Sequence, residues 1–586
     1  MIPPDSWHLV SYKFPRVDTR AKPIAKIGGL DTEAYEDGRP FMACLDNGKM
    51  LDPRDFPQCV FSFPLAHYAT YNLKYDSGAL LYYMPQAQKL ELWETTKTKW
   101  DGVSITYIPH KLLEFRQNKK TVKVWDVCQY YAMSLSEASK KYLNDDKKDI
   151  ETKKFSVSYV KKNHDRIKEY CIYDAQLCAR LARYLIDKLN EFGIRVTALY
   201  SGAALSFRYF ADHGRIVTVW RHWKYHKELL QYAVEAYQGG KFEVTARGAF
   251  SGYEYDITSA YPYEIKNLAD ISLCKVEKSS VYRPEALYGF LRVHIDNSKG
   301  QYIPCGLMES NVRIYSAGKF YTTITKAEYD YLIELGIDVE IISGYWLYVR
   351  AVKCPYEKII NTLFALKAKY KGKDEMLTEV SKRMMNSFYG KTVQAIKHPV
   401  SGNYIAGAAW NPIYGAQITA GTRLTVTRLQ NKYKDHCLAV HTDSVLLDCV
   451  LDGEYITGKI GGFELVKNGS GPGLIIACGQ YEIGEQRAFK GFAPQDGDTW
   501  RKILQRNKKA SIISYPVIRV NTLMDAIAKG HFDKINLFEN DTKEIDLNAD
   551  IKRAWNTTTT AGKLLERREN SLPRITFHHK KPDYWN

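Results

Sequence analysis

The sequence lacks the features that mark membrane and secreted proteins. No run reaches the ~18 apolar residues that a membrane-spanning helix needs, and the opening MIPPDSWHLV has no basic-then-apolar leader pattern. The eleven cysteines, scattered from Cys44 to Cys478, form no C-x-x-C pair and no Cys/His zinc spacing. That excludes a zinc ribbon and a thioredoxin-like centre and leaves free thiols in a reducing, intracellular compartment as the expectation. No repeat of solenoid period occurs, and the polar run Thr557 to Thr560 is too short to count as low complexity.

What is present is size and positive charge. The chain has 586 residues, about four units at ~150 residues per domain. It is 45% hydrophobic and 25% charged, so it buries ordinary cores. Lys and Arg number 83 against 66 Asp and Glu, a net +17. Such a surplus suits an anionic partner, nucleic acid before a membrane surface. Residues 501–586 hold 17 Lys/Arg against 10 Asp/Glu. Aromatics make up 13% of the chain, with 43 Tyr, and rings mixed with cations suit base stacking and backbone contacts. A basic, Tyr-rich enzyme with no nucleic acid fits the same composition.

The patterning alternates strand-like and helical pieces. AKIGGLDTEAY and PFMACL flank a DGRP turn and read as a hairpin. Apolar spacing predicts a helix from Arg166 to Phe192, stopped by Gly193. A second helical stretch runs from about Glu357 to Gly390 with a break at KYKGKDE, and a third from Thr419 to about Asp435. The short runs LAV and VLL bracket His441-Thr442-Asp443-Ser444 as in a hairpin.

Three groups of residues carry chemistry. In KRMMNSFYG, helical spacing puts Lys382, Asn386 and Tyr389 at about 0°, 40° and −20°, one face offering a cation, an amide and a ring. Asp256 ends a strand in YEYDITSAYP, and Asp443 sits at the tip of the second hairpin. Two such carboxylates brought together need a cation between them, and paired Mg²⁺ ions would use them for phosphoryl transfer. Asp31 and Glu33 lie at i and i+2 of one strand and share a face. With Asp76, Asp174 and the Tyr170 hydroxyl they would suit two-metal hydrolysis of a phosphodiester. Taken singly, each piece is also an ordinary turn or helix surface.

In this order the pieces resemble family B DNA polymerases, closest to the small branch of bacteriophages, adenoviruses and linear plasmids, many of which prime on a terminal protein. The resemblance runs from about Ile24 to Lys490 and implies an α/β (α+β multidomain) chain. An RNase H-like 3′–5′ exonuclease would precede a right-hand polymerase of palm, fingers and thumb. It implies that Asp256 and Asp443 bind the polymerase metals, that Tyr261 excludes a ribose 2′-OH, and that Ser259, Lys382, Asn386 and Tyr389 meet the nucleotide. DNA contacts fall to Tyr237, Gly239 and Gly240 of AYQGGK, to Ser387, Gly390, Thr442 and Lys490, and to Thr419 and Arg423 of ITAGTR. Asp31, Glu33, Asp76 and Asp174 become exonuclease ligands, Tyr170 orients water, and Asn72 binds single-stranded DNA. Lys147 is a weaker match to the exonuclease lysine.

The implied cofactor is Mg²⁺, two ions per active site, with Mn²⁺ as a substitute. The implied partners are primer-template DNA and dNTPs, with a terminal protein as a further primer, no membrane, and a monomeric chain, in the host cytoplasm if the source is a phage. The expected domains are exonuclease 1–192, linker and first palm part 193–355 with an insertion at about 290–350, fingers 356–390, second palm part 391–490 with a short insertion 391–418, and thumb 491–586.

Three departures stand out. His441 replaces the first Asp of the family's D-T-D. The stretch 391–418 is short for the branch's insertion, and the K-x-Y motif falls at Gly479-Gln480-Tyr481 without its lysine. His441 is expected not to ligate metal, to touch DNA phosphate or a carboxylate, and to hold its proton more firmly than usual. The alternative reading is a DNA-binding replication protein without polymerase activity, or a nuclease alone.

Overall fold

The computed structural model describes residues 2–12, 21–145, 155–398, 401–578 and 580–585. Its N-terminal part is built on an eight-stranded sheet. The strand Gly28–Ala34 lies antiparallel to Pro40–Leu45, as the DGRP turn dictates, and parallel to His67–Thr70. His67–Thr70 is in turn parallel to Lys120–Asp126, and three antiparallel strands extend that edge. Numbered among themselves in chain order, the five strands Gly28–Ala34, Pro40–Leu45, Met50–Leu51, His67–Thr70 and Lys120–Asp126 stand in the order 3-2-1-4-5 of an RNase H-like sheet. The helix Val157–Glu191 packs across it, longer than its apolar spacing predicts because Ser156 caps an earlier start. Gly29 makes the packing possible, since a Cβ there would overlap the Ala175 carbonyl oxygen of the helix.

The second large sheet is antiparallel throughout. Its order is Lys241–Val244, Cys437–Thr442, Ser444–Leu447, Ala246–Ile257, Phe463–Ala477, Gln480–Ile483 and Gln486–Phe489. The helices Ala260–Lys266 and Pro412–Lys432 cover one face, where Tyr255, Ile257, Val426, Leu429, Val440 and Val445 form a core. The latter helix starts at Pro412, seven residues before Thr419, because Asn411 caps it and proline fits its first turn. A helical hairpin, Glu357–Tyr370 and Glu375–Thr392, turns at Gly372, whose φ of +76° a side chain would resist.

Residues 275–348 supply four strands, paired antiparallel, of a further sheet. The C-terminal residues are spread across the molecule. Arg568–Asn570 joins the central sheet and Ile575–Phe577 joins the 275–348 sheet. Between the paired strands Ile512–Val520 and Phe538–Asp546 lies the short helix Leu523–Ala528. Its Leu523 and Ile527 are buried with Leu73, Leu80 and Leu92 of the N-terminal part. At ~1.5–3 kcal/mol per buried Leu or Ile side chain, this anchors the C-terminal ribbon to the N-terminal core. The eleven cysteines are free. Among the described residues no helix is long and apolar enough to cross a membrane.

Two candidate active sites

At the central sheet, register brings the two separate aspartates together. Asp256 pairs with Ser444, and the Ile257 N–H donates to the Asp443 carbonyl at 2.9 Å. Asp443 lies in a two-residue turn between the paired His441 and Ser444. Thr442 in that turn has φ +64°, a left-handed conformation that costs a residue with a Cβ roughly 1–2 kcal/mol. Gly240 is pressed against the turn, so that a Cβ would fall 2.6 Å from Thr442 Cγ2.

The charge around these groups is dense. Burial, then Asp443, Glu254 and Glu464, push the Asp256 carboxyl up to about 7, while Lys382 pulls it down. Burial also raises Asp443, opposed by its own backbone N–H and by Lys382. Glu254 is raised by burial, although the Tyr481 hydroxyl donates to it at 2.6 Å. Glu254 and Glu464 were not expected. Glu254 was legible, being two residues before Asp256 on the same strand face. Glu464 was not, because it meets Asp256 only through the pairing of Ala246–Ile257 with Phe463–Ala477.

Lys382 and Asn386 are exposed on the helix Glu375–Thr392, and Tyr389 is half-buried. The Tyr389 ring lies 4.4 Å from that of Tyr261, and its hydroxyl is bonded to that of Tyr237. Burial raises all three phenols, so they remain neutral donors. Ser259 has φ +56° at the start of the helix bearing Tyr261, and its carbonyl accepts from Tyr263 N at 3.0 Å. Ser387 is half-buried, and Gly390 is exposed with open space where a Cβ would stand.

Two expectations need correction. Thr419 and Arg423 are buried, not on a DNA-facing surface. The Arg423 guanidinium is fully enclosed, donating to Glu328 at 2.6 Å, to the Pro304 carbonyl at 2.9 Å and to the Gly239 carbonyl at 2.5 Å. An enclosed, paired Arg braces the Tyr237–Gly240 turn from behind, with its guanidinium shut off from solvent in this conformation. Thr419 returns its hydroxyl to the helix carbonyls of Gly415 and Ala416.

His441 is likewise 7% exposed, stacked on Tyr481 with centroids 4.8 Å apart, and its Nε2 accepts from Gly479 N at 3.3 Å. Burial, Lys490 and Lys552 lower it to about 3, opposite to the expected rise, because the imidazole faces cations and rings. Lys490 is exposed, with its ammonium 4.5 Å from the Phe242 ring.

The N-terminal sheet gathers the other acidic set around one cavity of about 510 Å³. Asp31, Glu33, Asn72, Asp76, Tyr170 and Asp174 all line it. Ligand atoms of Asp31, Glu33 and the unexpected Cys171 lie within 4.8 Å of one another. Asp76 is enclosed and accepts from the Thr32 hydroxyl at 2.7 Å and from that of Thr70. Burial raises its carboxyl to about 7 despite these donors. Asn72 has φ +81° ahead of the helix Leu73–Leu80, and its N–H and that of Leu73 donate to the Asp126 carboxylate at 3.2 and 3.1 Å. The far wall comes from the C-terminal ribbon: Ile518, Asn536, Phe538 and Asn540. Lys147 falls outside the described residues.

Both centres fit hard divalent cations, since each clusters carboxylates whose mutual repulsion a cation relieves. An RNase H-like domain joined to a sheet that pairs two aspartates beneath a lysine-bearing helix defines a right-hand polymerase with an attached nuclease fold. The chain belongs to the family of type B DNA polymerases, organellar and viral, whose model matches residues 83–400. Membership carries the use of divalent metal ions.

It is 24% identical over 324 residues to a DNA polymerase of Acidianus bottle-shaped virus (isolate Italy/Pozzuoli), covering 52% of this chain and 46% of that one. It is 25% identical over 157 residues to a probable DNA polymerase of Podospora anserina, covering 27% of this chain and 13% of that one. The chain thus spans less than half the length of either relative. The fold is similar to that of Phi29 DNA polymerase complexed with primer-template DNA and incoming nucleotide, with a TM-score of 0.64 at 16% identity over 89% of this chain and 100% of that one. The post-translocation binary complex of the same polymerase gives 0.63.

Proposed function

We propose that the chain is a DNA-directed DNA polymerase with a 3′–5′ proofreading exonuclease, replicating a viral or plasmid genome. The observation that carries this is the Asp256–Asp443 pair, fixed by the backbone ladder and faced by Lys382. Asp256 and Asp443 would hold two Mg²⁺ ions, which would supply charge stabilisation for the attacking and leaving oxygens. The primer 3′-OH attacks the α-phosphate of a dNTP, the P–O bond to pyrophosphate breaks, and Lys382 binds the triphosphate. Tyr261 and Tyr389 pack as one wall beside the sugar and base, leaving no room for a 2′-OH. Tyr237 and Gly239, braced by Arg423, hold the template strand.

At the second centre Asp31, Glu33, Asp76 and Asp174 would hold the metals, and the Tyr170 hydroxyl orients the water that attacks the terminal phosphodiester. The domain roles in this reading are exonuclease 1–192, linker and first palm part 193–355 with an insertion at about 290–350, fingers 356–390, second palm part 391–490 with a short insertion 391–418, and thumb 491–586. His441, turned to Gly479 and Tyr481, gives no ground for an inactive polymerase centre. The test is a labelled primer on a longer template with Mg²⁺. Extension with dNTPs and shortening without them are expected; neither occurring in an intact preparation rejects the reading.

A further inference from the structure

A cavity of about 610 Å³ is lined by Ile2 from the start of the chain, by residues 580–584 from near its end, and by the 275–348 region. None of the carboxylates assigned to the two centres reaches it. The short strands Leu307–Glu309 and Val312–Ile314 pair so that Arg313 stands opposite Met308, and both line the wall. Arg313 is half-buried and its Nη1 donates to the Gly306 carbonyl at 3.0 Å. Among the described residues no carboxylate pairs with it. Burial lowers its pKa, Tyr315 works against that, and the nearby Arg423 guanidinium lowers it further.

The other charges of the cavity leave this cation uncompensated. Lys580 and Lys581 line it, are exposed, and form no ion pair among the described residues. It has two acids, Glu235 and Asp583. The Glu235 carboxylate is engaged by Arg292 at 2.7 and 3.0 Å and by the Thr323 hydroxyl at 2.8 Å. Only Asp583 remains, so three cations face one carboxylate.

A partly desolvated charge without a counter-ion is costly, and an anion in the cavity would relieve it. The guanidinium fork matches a carboxylate or a terminal phosphate. Two surplus positive charges favour the phosphate, which carries about −1.5 to −2 at neutral pH. The volume lies within the ~300–1,000 Å³ of small-molecule sites and exceeds what a bare phosphate fills. Met308, Tyr321 and Tyr584 line the remainder, an apolar and aromatic wall for a flat ring.

We propose that this cavity binds a free nucleoside 5′-monophosphate, with its phosphate on Arg313, Lys580 and Lys581 and its base against Tyr321 and Tyr584. The site is separate from both carboxylate centres and goes beyond the two reactions assigned to them.

The experiment uses the full chain in EDTA, so that no metal carries nucleotide to either carboxylate centre. Photolysis with 8-azidoadenosine 5′-monophosphate is followed by peptide mapping, and crosslinks are expected on the peptides that carry Tyr321 and residues 580–585. Calorimetry is run with AMP and, separately, with inorganic phosphate. One AMP per chain is expected, bound roughly tenfold or more tightly than phosphate. Arg313→Gln should weaken AMP by roughly tenfold or more. Lys580→Ala with Lys581→Ala, at exposed positions, should weaken it several-fold, and this variant decides the matter if Arg313→Gln does not fold. Crosslinks confined to other peptides would overturn the proposal, as would unchanged AMP affinity in the double lysine variant. Inorganic phosphate binding as tightly as AMP would also overturn it, because the base would then have no seat.

Discussion

At the central sheet, Asp256 and Asp443 are positioned by hydrogen bonds within one ladder, from strands that pair directly. At the N-terminal sheet, Asp31 and Glu33 share a face by strand alternation, Asp174 arrives on a separate helix, and the cavity is closed by a ribbon nearly 500 residues further on. The first centre is therefore local and stiff. The second is assembled from three layers, so its geometry depends on each contact between them. The comparison teaches that damage far from the carboxylates should reach the N-terminal centre more readily than the central one.

The largest expected effect is at the ladder-bound pair. Asp443→Asn and Asp256→Asn should each cut primer extension by at least ~10²–10³-fold, the scale of losing one principal electrostatic element, while degradation of single-stranded DNA persists. Rapid-quench extension assays check this; near-normal extension by either variant would end that ligand assignment. Next in size is Tyr261→Val, which opens the wall shared with Tyr389. Discrimination between dNTP and rNTP should fall by about 10–100-fold, the range typical of apolar pocket contacts. Unchanged selectivity in competition assays would mean that another group guards the sugar.

Smaller effects sharpen the contrast between the centres. Asn536 donates to the Tyr75 carbonyl at 2.9 Å and lies against Gly78, tying the C-terminal ribbon to the acidic cavity. Asn536→Ala removes a hydrogen bond worth about 1 kcal/mol. It should slow degradation several-fold at unchanged extension; the reverse pattern would refute the layered assembly. The smallest change is expected at His441. His441→Ala loses the stacking on Tyr481 and leaves Gly479 N without its acceptor, a cost of about 1–3 kcal/mol. Thermal unfolding should shift by a few degrees while extension stays within about fivefold of the parent. A loss as deep as that of Asp443→Asn would make the histidine part of the chemistry.

Local patterns were legible from the sequence. Alternation gave the shared face of Asp31 and Glu33, helical spacing gave Lys382 with Asn386 and Tyr389, and the DGRP and HTDS turns fall where hairpins form. What was hidden depends on contacts between distant segments. Arg423 looks like a surface cation in its motif, yet Glu328 lies 95 residues away in sequence and encloses it. His441 was judged by the carboxylates near it in sequence, whereas Lys490, Lys552 and Tyr481 surround it in space. The docking of Leu523 and Ile527 into the N-terminal core follows no local period, because each partner supplies only part of the apolar surface.

The central claim is that two acidic centres in one chain carry two separate reactions. Its most direct test is a crossed assay on three proteins: the parent, Asp443→Asn, and Asp31→Ala with Glu33→Ala. Each is given one labelled primer-template with dNTPs and one labelled single strand without them, in Mg²⁺. The account predicts that Asp443→Asn degrades without extending and that the double variant extends without degrading. Parallel loss of both reactions in either variant, from protein that is still folded, would contradict it.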